Sequence, residues 1–363
     1  MRTLPEWLAD SGYRTGAVVS GYTLKAEACG LAGRFHSYDD DFGGRTWFPD
    51  GAARLRLFAI LELAAGRVGL EVFRPDRPAA ATTNRALRWL ARHGSERFFL
   101  WVHYFDPHEP YEPPEPYAAV ERSEVGGVPL GRWYHGVSVE QKERFVNDAS
   151  AVRDMISLYE GEVAHVDAQV GRLRGGLASL GLDRRTLVVF AADHGESLGV
   201  PLVVAFPEGG PAGRRVRAQV SLLDIAPTVL DVLGLASDGA LDGRSLRTLV
   251  ADEASEVPRP AFAAVQPGVW PSGRSIYAVR DRGWKLVWTS PEWRFYGMRL
   301  PAREELYDLS TDSEENRNRV EESPPVLAAL RRALAGWRER GLVAAPQLSE
   351  EVRRRLRGLG YVE

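Results

Sequence analysis

Two short apolar runs near the middle of the chain constrain the fold most, because so few residues join them. Residues 187–192 read as a buried strand that ends on Asp193 and His194, and a second apolar run, residues 201–206, begins soon afterwards. Parallel neighbouring strands need a crossover of about a dozen residues or more, usually a helix. The link here is too short for one. The sequence therefore indicates either an active site or an active site from which a segment is missing.

The start of the chain reads as part of an alternating helix and strand pattern. Leu4, Trp7 and Leu8 have helical spacing, Gly12 suits the position after a helix, and residues 15–20 read as a strand. This order is the second half of a β-α-β unit, so we expect the α/β domain to lack its first strand. Thr82 or Thr83 is the expected N-cap of one further helix. Other helices are predicted at residues 52–63, 82–93, from 149 onward and 324–339, and a further strand at 97–107.

The pattern changes near residue 257. Beyond it come short antiparallel strands, a turn at residues 281–283 and one helix. We therefore predict an α/β domain over residues 1–257, with a mixed, largely parallel sheet flanked by helices. A small α+β subdomain, with an antiparallel sheet and a helix, is predicted over residues 258–363.

Polar side chains follow two of the predicted strands. His103, Asp106 and His108 come after one, and Asp193 and His194 after the other. Ligands of open α/β sheets bind beyond the carboxyl ends of the strands. Imidazole favours zinc or manganese and carboxylate suits calcium or magnesium, so a divalent metal is one interpretation of the Asp193–His194 pair. The other is an N-cap pair at a turn.

The remaining candidates are assigned structural roles. The three consecutive acids at residues 39–41 could bind a metal, but we favour a solvated loop. Four histidines lack any partner pattern: His36, His93, His135 and His165.

Composition excludes several classes of function. With 46 basic and 49 acidic residues and a net charge of −3, the chain offers no electrostatic case for nucleic-acid binding. No run approaches the roughly 18 apolar residues of a membrane span. A single cysteine, Cys29, excludes an internal disulfide framework. Because residues 1–21 lack the apolar core of a signal peptide, we expect a cytoplasmic chain as written, or an exported one if an N-terminal segment is missing.

Eight segments in order carry a family resemblance. They are YRTGAVVSGYTL, FFLWVHYFDPHEPYEPPEPY, YEGEVAHVDAQVGRL, TLVVFAADHGESLG, VPLVVAFP, LLDIAPTVLDVLGL, ELYDLSTDSEENRN and EEVRRRLRGLGYVE. Together they resemble a bacterial sulfatase of the alkaline-phosphatase superfamily, and the resemblance covers nearly the whole chain. It implies hydrolysis of sulfated carbohydrates or aryl sulfate esters, with a formylglycine that attacks sulfur and a calcium ion held by acidic residues. Manganese or zinc is the alternative metal.

The resemblance also assigns site residues. Asp193 matches a metal ligand, and His194 lies where the family has Asn or His at the metal. His108 matches a histidine that contacts the sulfate or the leaving oxygen, and His103 is expected near the substrate.

Two departures from the family pattern put catalysis in doubt. The formylglycine motif, Cys or Ser followed by Pro or Ala at the second and Arg at the fourth position, is absent, and CGLAGR at Cys29 does not fit it. Relatives also carry an insert with a basic substrate contact between DHGESLG and VPLVV. We therefore expect a truncated chain that is inactive alone. The alternatives are a non-catalytic pseudoenzyme that binds an anion or a partner, and a phosphodiesterase or phosphatase of the same superfamily.

An incomplete sheet would leave apolar surface. We expect exposure on residues 17–19, 100–102 and 188–190, since parallel strands normally bury both faces. Self-association through this surface is the expected consequence.

Overall fold

The computed structural model describes most of the chain, in two compact units that meet in the sequence between Asp183 and Arg184. The described residues are 2–42, 76–118, 124–125, 128–129, 145, 147–195, 199–237, 241–252, 258–265, 275–290, 293–295, 298–300, 303–322 and 324–340. The helix predicted at residues 52–63 lies outside them. The predicted domain boundary near residue 257 stays a prediction.

The first unit contains four helices and five strands among its described residues. In chain order they are α1 (Leu4–Asp10), β1 (Arg14–Val18), α2 (Ala26–Cys29), β2 (Ser37–Asp39), α3 (Ala79–His93), β3 (Phe98–Val102), β4 (Glu124–Val125), β5 (Val128–Pro129) and α4 (Ala149–Ser179). The three longer strands form a parallel sheet in the order β2-β1-β3, in which Gly16 pairs with Ser37 on one side and Leu100 on the other.

The central strand β1 is paired with another strand on both edges, and helices pack against it. Ala17, Val18 and Val19 are at most 1% exposed. The Trp89 indole of α3 lies so close to the Gly16 Cα that a Cβ would collide with it. The predicted exposure of residues 17–19 is therefore wrong, because β2, β3 and the flanking helices cover β1. Residues 100–102 are half-buried.

Helix α3 begins one turn earlier than predicted. Its N-cap is Pro78, so the prediction of Thr82 or Thr83 as the cap is wrong. The Thr82 hydroxyl donates to the Pro78 carbonyl at 3.2 Å, and the Thr83 hydroxyl donates to the Ala79 carbonyl at 3.0 Å. Because both hydroxyls are satisfied within the helix, these threonines can be buried inside it.

Helix α4 is the long helix that the sequence predicts. Asp148 caps it, its carboxylate accepting from the amides of Ser150 at 2.9 Å and Ala151 at 3.2 Å. Such a cap satisfies amides that have no partner inside the helix.

The second unit contains three helices and eight strands among its described residues. They are β6 (Val188–Ala191), β7 (Leu202–Ala205), α5 (Ile225–Val232), α6 (Arg247–Ala251), β8 (Ala261–Val265), β9 (Ile276–Asp281), β10 (Trp284–Thr289), β11 (Trp293–Phe295), β12 (Met298–Leu300), β13 (Arg303–Asp308) and α7 (Pro325–Glu339). Strands β8, β9, β10 and β13 form an antiparallel sheet in the order β13-β10-β9-β8.

A leucine-rich core joins this sheet to α7. Its buried residues are Val279, Leu286, Leu306, Leu327, Leu330 and Leu334. The predicted turn between β9 and β10 is confirmed, with positive φ at Arg282 (46°) and Gly283 (79°). Two consecutive residues in this conformation match the twist of a tight hairpin.

The pairing of strands β6 and β7 explains how so short a link can join them. They pair with each other in the antiparallel direction, with Phe190 opposite Val203. Antiparallel neighbours need no crossover, and among the described residues the two strands form a two-stranded sheet of their own. Phe190 is 38% and Val203 59% exposed, which agrees with the expected apolar exposure around residues 188–190. Self-association through this face stays a prediction.

In the described part of the chain, no helix combines the length and the hydropathy that a membrane crossing requires.

Candidate functional site

The site in the first unit is built where β1 and β3 end. The His103 amide donates to the Val18 carbonyl at 2.9 Å, which continues the strand pairing by one residue. The buried Ser20 hydroxyl then joins the segments that follow β1 and β3. It donates to the His103 carbonyl at 2.7 Å and accepts from the Phe105 amide at 2.6 Å. The His103 Nδ1 atom lies 3.4 Å from the same hydroxyl. Ser20 therefore fixes the backbone that presents His103.

His108 is oriented by Phe105, which precedes it, and by Glu109, which follows it. Its ring stacks on Phe105, with centroids 4.6 Å apart. Its Nδ1 atom lies 2.9 Å from the Glu109 carbonyl oxygen. Because a carbonyl can only accept, Nδ1 carries a proton in this arrangement. A Cβ at Gly21 would come within 2.8 Å of the Phe105 ring, so only glycine lets the ring take this place.

The segment that follows His108 docks on α4. The Glu112 amide donates to the Glu162 carboxylate at 2.9 Å. The Tyr117 ring stacks on His165, with centroids 5.3 Å apart. Gly161 lies directly beneath this segment, because a Cβ there would be 2.5 Å from the Tyr117 carbonyl oxygen. Helix α4 thus supports the backbone that carries His108.

The second cluster follows β6. The Asp193 carboxylate accepts from the His194 amide at 3.0 Å, and the two side chains are 80% and 63% exposed. The described residues include no group of three or more His, Cys, Asp or Glu side chains placed to hold a metal. Asp193 and His194 therefore supply two metal ligands, fewer than the roughly six to eight oxygen ligands that calcium needs. By themselves they do not fit the metal that the resemblance implies.

Of the three acids at residues 39–41, Asp39 departs from both interpretations. Asp39 ends β2 and pairs with Arg77 at 2.9 Å and with Arg85 at 3.1 Å. Arg77 is only 1% exposed. The solvated-loop interpretation is wrong for Asp39, because a buried guanidinium needs a partner charge. It suits Asp41, an exposed partner of Arg85.

The structure thus groups His103 and His108 around Ser20 and Phe105 in the first unit, while Asp193 and His194 are adjacent in the second. Sequence reasoning missed Ser20 and Glu162. One signal could have found Glu162: an acid and His165, spaced by three residues, interrupt the apolar pattern of a long helix.

Comparisons with known proteins agree with this fold. Residues 1–235 match the family model described as Sulfatase, and residues 192–339 match the model described as N-sulphoglucosamine sulphohydrolase, C-terminal. Arylsulfatase K of Danio rerio is 30% identical over 221 residues, which cover 56% of this chain and 40% of that relative. An arylsulfatase of Clostridium perfringens is 25% identical over 270 residues, which cover 67% of this chain and 53% of that relative. The chain thus spans about half the length of these relatives or less.

Solved structures show the same fold. A phosphonate monoester hydrolase of Agrobacterium radiobacter has a TM-score of 0.60 and 21% identity, over 96% of this chain and 83% of that one. A protein in complex with its substrate D-glucosamine-2-N,6-O-disulfate has a TM-score of 0.59 and 16% identity, over 93% of this chain and 82% of that one. At these identities the likeness establishes the fold class, an α/β alkaline-phosphatase-like architecture, and nothing of the chemistry. Because the sulfatase model matches well over half of the 363 residues, this chain belongs to the sulfatase family.

Proposed function

We propose that this chain is part of a sulfuric ester hydrolase and that His108 is the general acid for the leaving group. The observation that supports this most directly is the orientation of His108. The Glu109 carbonyl holds Nδ1, so a protonated ring can release its other proton, from Nε2, to the oxygen that leaves sulfate. Ser20 holds the backbone at His103, which supports the proposal that His103 contacts the same substrate. General acid catalysis of this kind contributes about 10²–10⁴-fold.

The sulfatase family uses a divalent metal and a formylglycine. Calcium is the metal proposed here, with Asp193 and His194 among its ligands, because carboxylate oxygens suit hard cations. These two donors do not complete a site, so no step of the mechanism is assigned to the metal.

The first prediction concerns metal affinity. We expect the 363-residue chain to bind calcium, manganese and zinc no more tightly than micromolar, since two exposed donors leave most coordination positions to water. Isothermal titration of the wild type and of Asp193→Ala measures this. Sub-micromolar binding that the substitution abolishes would contradict it.

The second prediction concerns turnover. Ester hydrolysis in the family needs an activated nucleophile, charge neutralisation of the sulfate and an acid, and the sequence contains no formylglycine motif. We expect no hydrolysis of p-nitrophenyl sulfate or p-nitrophenyl phosphate above background. The paired assay compares this chain with any longer in-frame chain that the DNA upstream of the Met1 codon encodes. Turnover by the 363-residue chain that disappears in His108→Ala would overturn the prediction.

The same assay separates the alternatives. The phosphonate monoester hydrolase neighbour supports a phosphatase or phosphodiesterase as the second candidate function, and activity of a longer chain on phosphate alone would favour it. An inactive longer chain that contains the motif would favour the non-catalytic pseudoenzyme.

Sulfated carbohydrate is the proposed substrate class. It is supported by the match of residues 192–339 to the sulphohydrolase C-terminal model and by the glucosamine disulfate in the structural neighbour. Aryl sulfate esters, which the names of the arylsulfatase relatives suggest, are the simpler assay substrates.

A further inference from the structure

Beneath the segment that carries His108 lies a pair of carboxyl groups with too few donors. Glu162 on α4 is 3% exposed, and its Oε1 atom accepts from the Glu112 amide. Its Oε2 atom and the Asp106 Oδ2 atom are both buried, and neither has a hydrogen-bond donor among the residues that the structure describes. The two carboxyl groups lie within hydrogen-bonding reach of each other. Two bare carboxylates in this position would repel each other.

The surroundings give the two carboxyl groups different roles. Burial raises the pKa of Asp106 as well, and the backbone amides of Asp106 and of Ala79, in the first turn of α3, oppose that rise. These donors favour the charged form of Asp106. Among the described residues, Glu162 has a single amide donor, that of Glu112. The proton therefore belongs on the Glu162 Oε2 atom, from which it can be donated to Asp106 Oδ2.

We propose that Glu162 is a positioning residue that shares one proton with Asp106, and that this hydrogen bond fixes the His108 segment on α4. Asp106 is two residues before His108 and Glu112 is four residues after it, so Glu162 holds the segment on both sides. Loss of the proton leaves two like charges at this contact, which separates the segment from the helix. Only the consequence for catalysis rests on the proposed function; the proton and the docking do not.

Three further titratable groups surround the pair. His165, 5% exposed, lies one turn along α4, and its Nδ1 atom has no hydrogen-bond partner in the described part of the chain. Asp76 adds a negative charge that raises the pKa of Glu162 further, and Tyr104 lies near Asp106. Burial keeps His165 neutral by lowering its pKa, so it does not replace the shared proton with a charge of its own.

The pH window follows from these shifts. Burial raises the pKa of Glu162 from 4.5 to about 8. The folded state therefore keeps a proton that the unfolded chain has released, and the stability that this proton contributes is lost as the pH rises from 4.5 to about 8. The lowered pKa of His165 acts in the opposite sense, since its neutral form contributes stability that is lost below pH 6.5. Between pH 6.5 and 8, a change in stability with pH therefore reports on the carboxyl pair and not on His165.

Hydrogen exchange of residues 105–117 tests the proposal without any need for turnover. After correction for the intrinsic exchange rate, exchange in the wild type is expected to rise between pH 6.5 and 8, by up to about tenfold per pH unit. Glu162→Gln keeps an acceptor for the Glu112 amide and offers an N–H to Asp106, so its exchange is expected to stay flat. Glu162→Ala, which offers neither, is expected to exchange fast at every pH. Glu160→Gln, an exposed change on the same helix, is the control and is expected to follow the wild type.

Equal pH dependence in the wild type and Glu162→Gln would overturn the proposal. Infrared spectroscopy of the wild type alone guards against a variant that fails to fold. A protonated-carboxyl band is expected at pH 6.5 and is expected to vanish above pH 8; its absence at pH 6.5 would overturn the shared proton directly. A flat exchange profile would reject the positioning role and leave the proposed function standing. An inactive longer chain that contains the formylglycine motif would reject the proposed function and leave the positioning role standing.

Discussion

Replacement of Asp224 by alanine is expected to destabilise the second unit by about 3–5 kcal/mol, the cost of removing one member of a buried ion pair. Asp224 is fully buried and accepts from the amides of Ser221 at 2.8 Å and Arg244 at 2.9 Å. It also pairs with Arg259. Its loss leaves a half-buried guanidinium and two amides without an acceptor. Chemical denaturation, followed by probes in residues 184–340, measures the change.

An exposed pair in the same unit provides the control. Glu208 pairs with Arg184, and their side chains are 59% and 69% exposed. Surface pairs of this kind contribute about 0–1 kcal/mol, so Glu208→Ala should lie close to the wild type. Asp224→Asn, which keeps an acceptor and loses the charge, is expected to fall between the two. Equal stability of Asp224→Ala and Glu208→Ala would show that the buried network contributes little.

Gly161→Ala is expected to have the second large effect, because it separates the His108 segment from α4. Alanine is the better helix former by about 1 kcal/mol, yet its Cβ would lie 2.5 Å from the Tyr117 carbonyl oxygen and 3.0 Å from the Pro113 ring. A backbone atom cannot move aside by a rotamer change, so the segment must shift. Overpacking costs about 1–3 kcal/mol, and we expect a net loss of stability with faster hydrogen exchange over residues 105–117.

Gly171→Ala on the same helix is the matched control. A Cβ at Gly171 has no neighbour within 4 Å, so this variant should gain the helix propensity of about 1 kcal/mol without a clash. Opposite signs for the two substitutions are the expected result in urea denaturation. A stabilising Gly161→Ala would mean that the segment does not rest on α4.

Local elements could be predicted from the sequence because short-range physics decides them. The helix Leu4–Asp10 contains the apolar residues whose spacing predicts it, and α4 and α7 agree closely with their predicted starts. The turn at residues 281–283 follows from an Arg-Gly pair that takes positive φ. The family resemblance, carried by eight ordered segments, is confirmed by the match to the sulfatase model.

The candidate site was only partly predictable. His103 and His108 could be selected because they follow an apolar strand, but their assigned roles, like those of Asp193 and His194, stay predictions. Ser20 and Glu162 carry no local signal of comparable strength. Their importance comes from partners 85 and 50 residues away in the chain, Phe105 and Glu112.

The sequence by itself determined the order and type of most described elements, the family, and the lack of a formylglycine motif, since each depends on residue types and spacing along the chain. Tertiary structure alone decided that β6 pairs with β7 in the antiparallel direction, that Asp39 neutralises the buried Arg77, and that Glu162 meets Asp106 beneath His108. The physical reason is the same in all three cases. Burial removes water as a partner for backbone and charged groups, so each must be satisfied by residues that only the folded chain brings near.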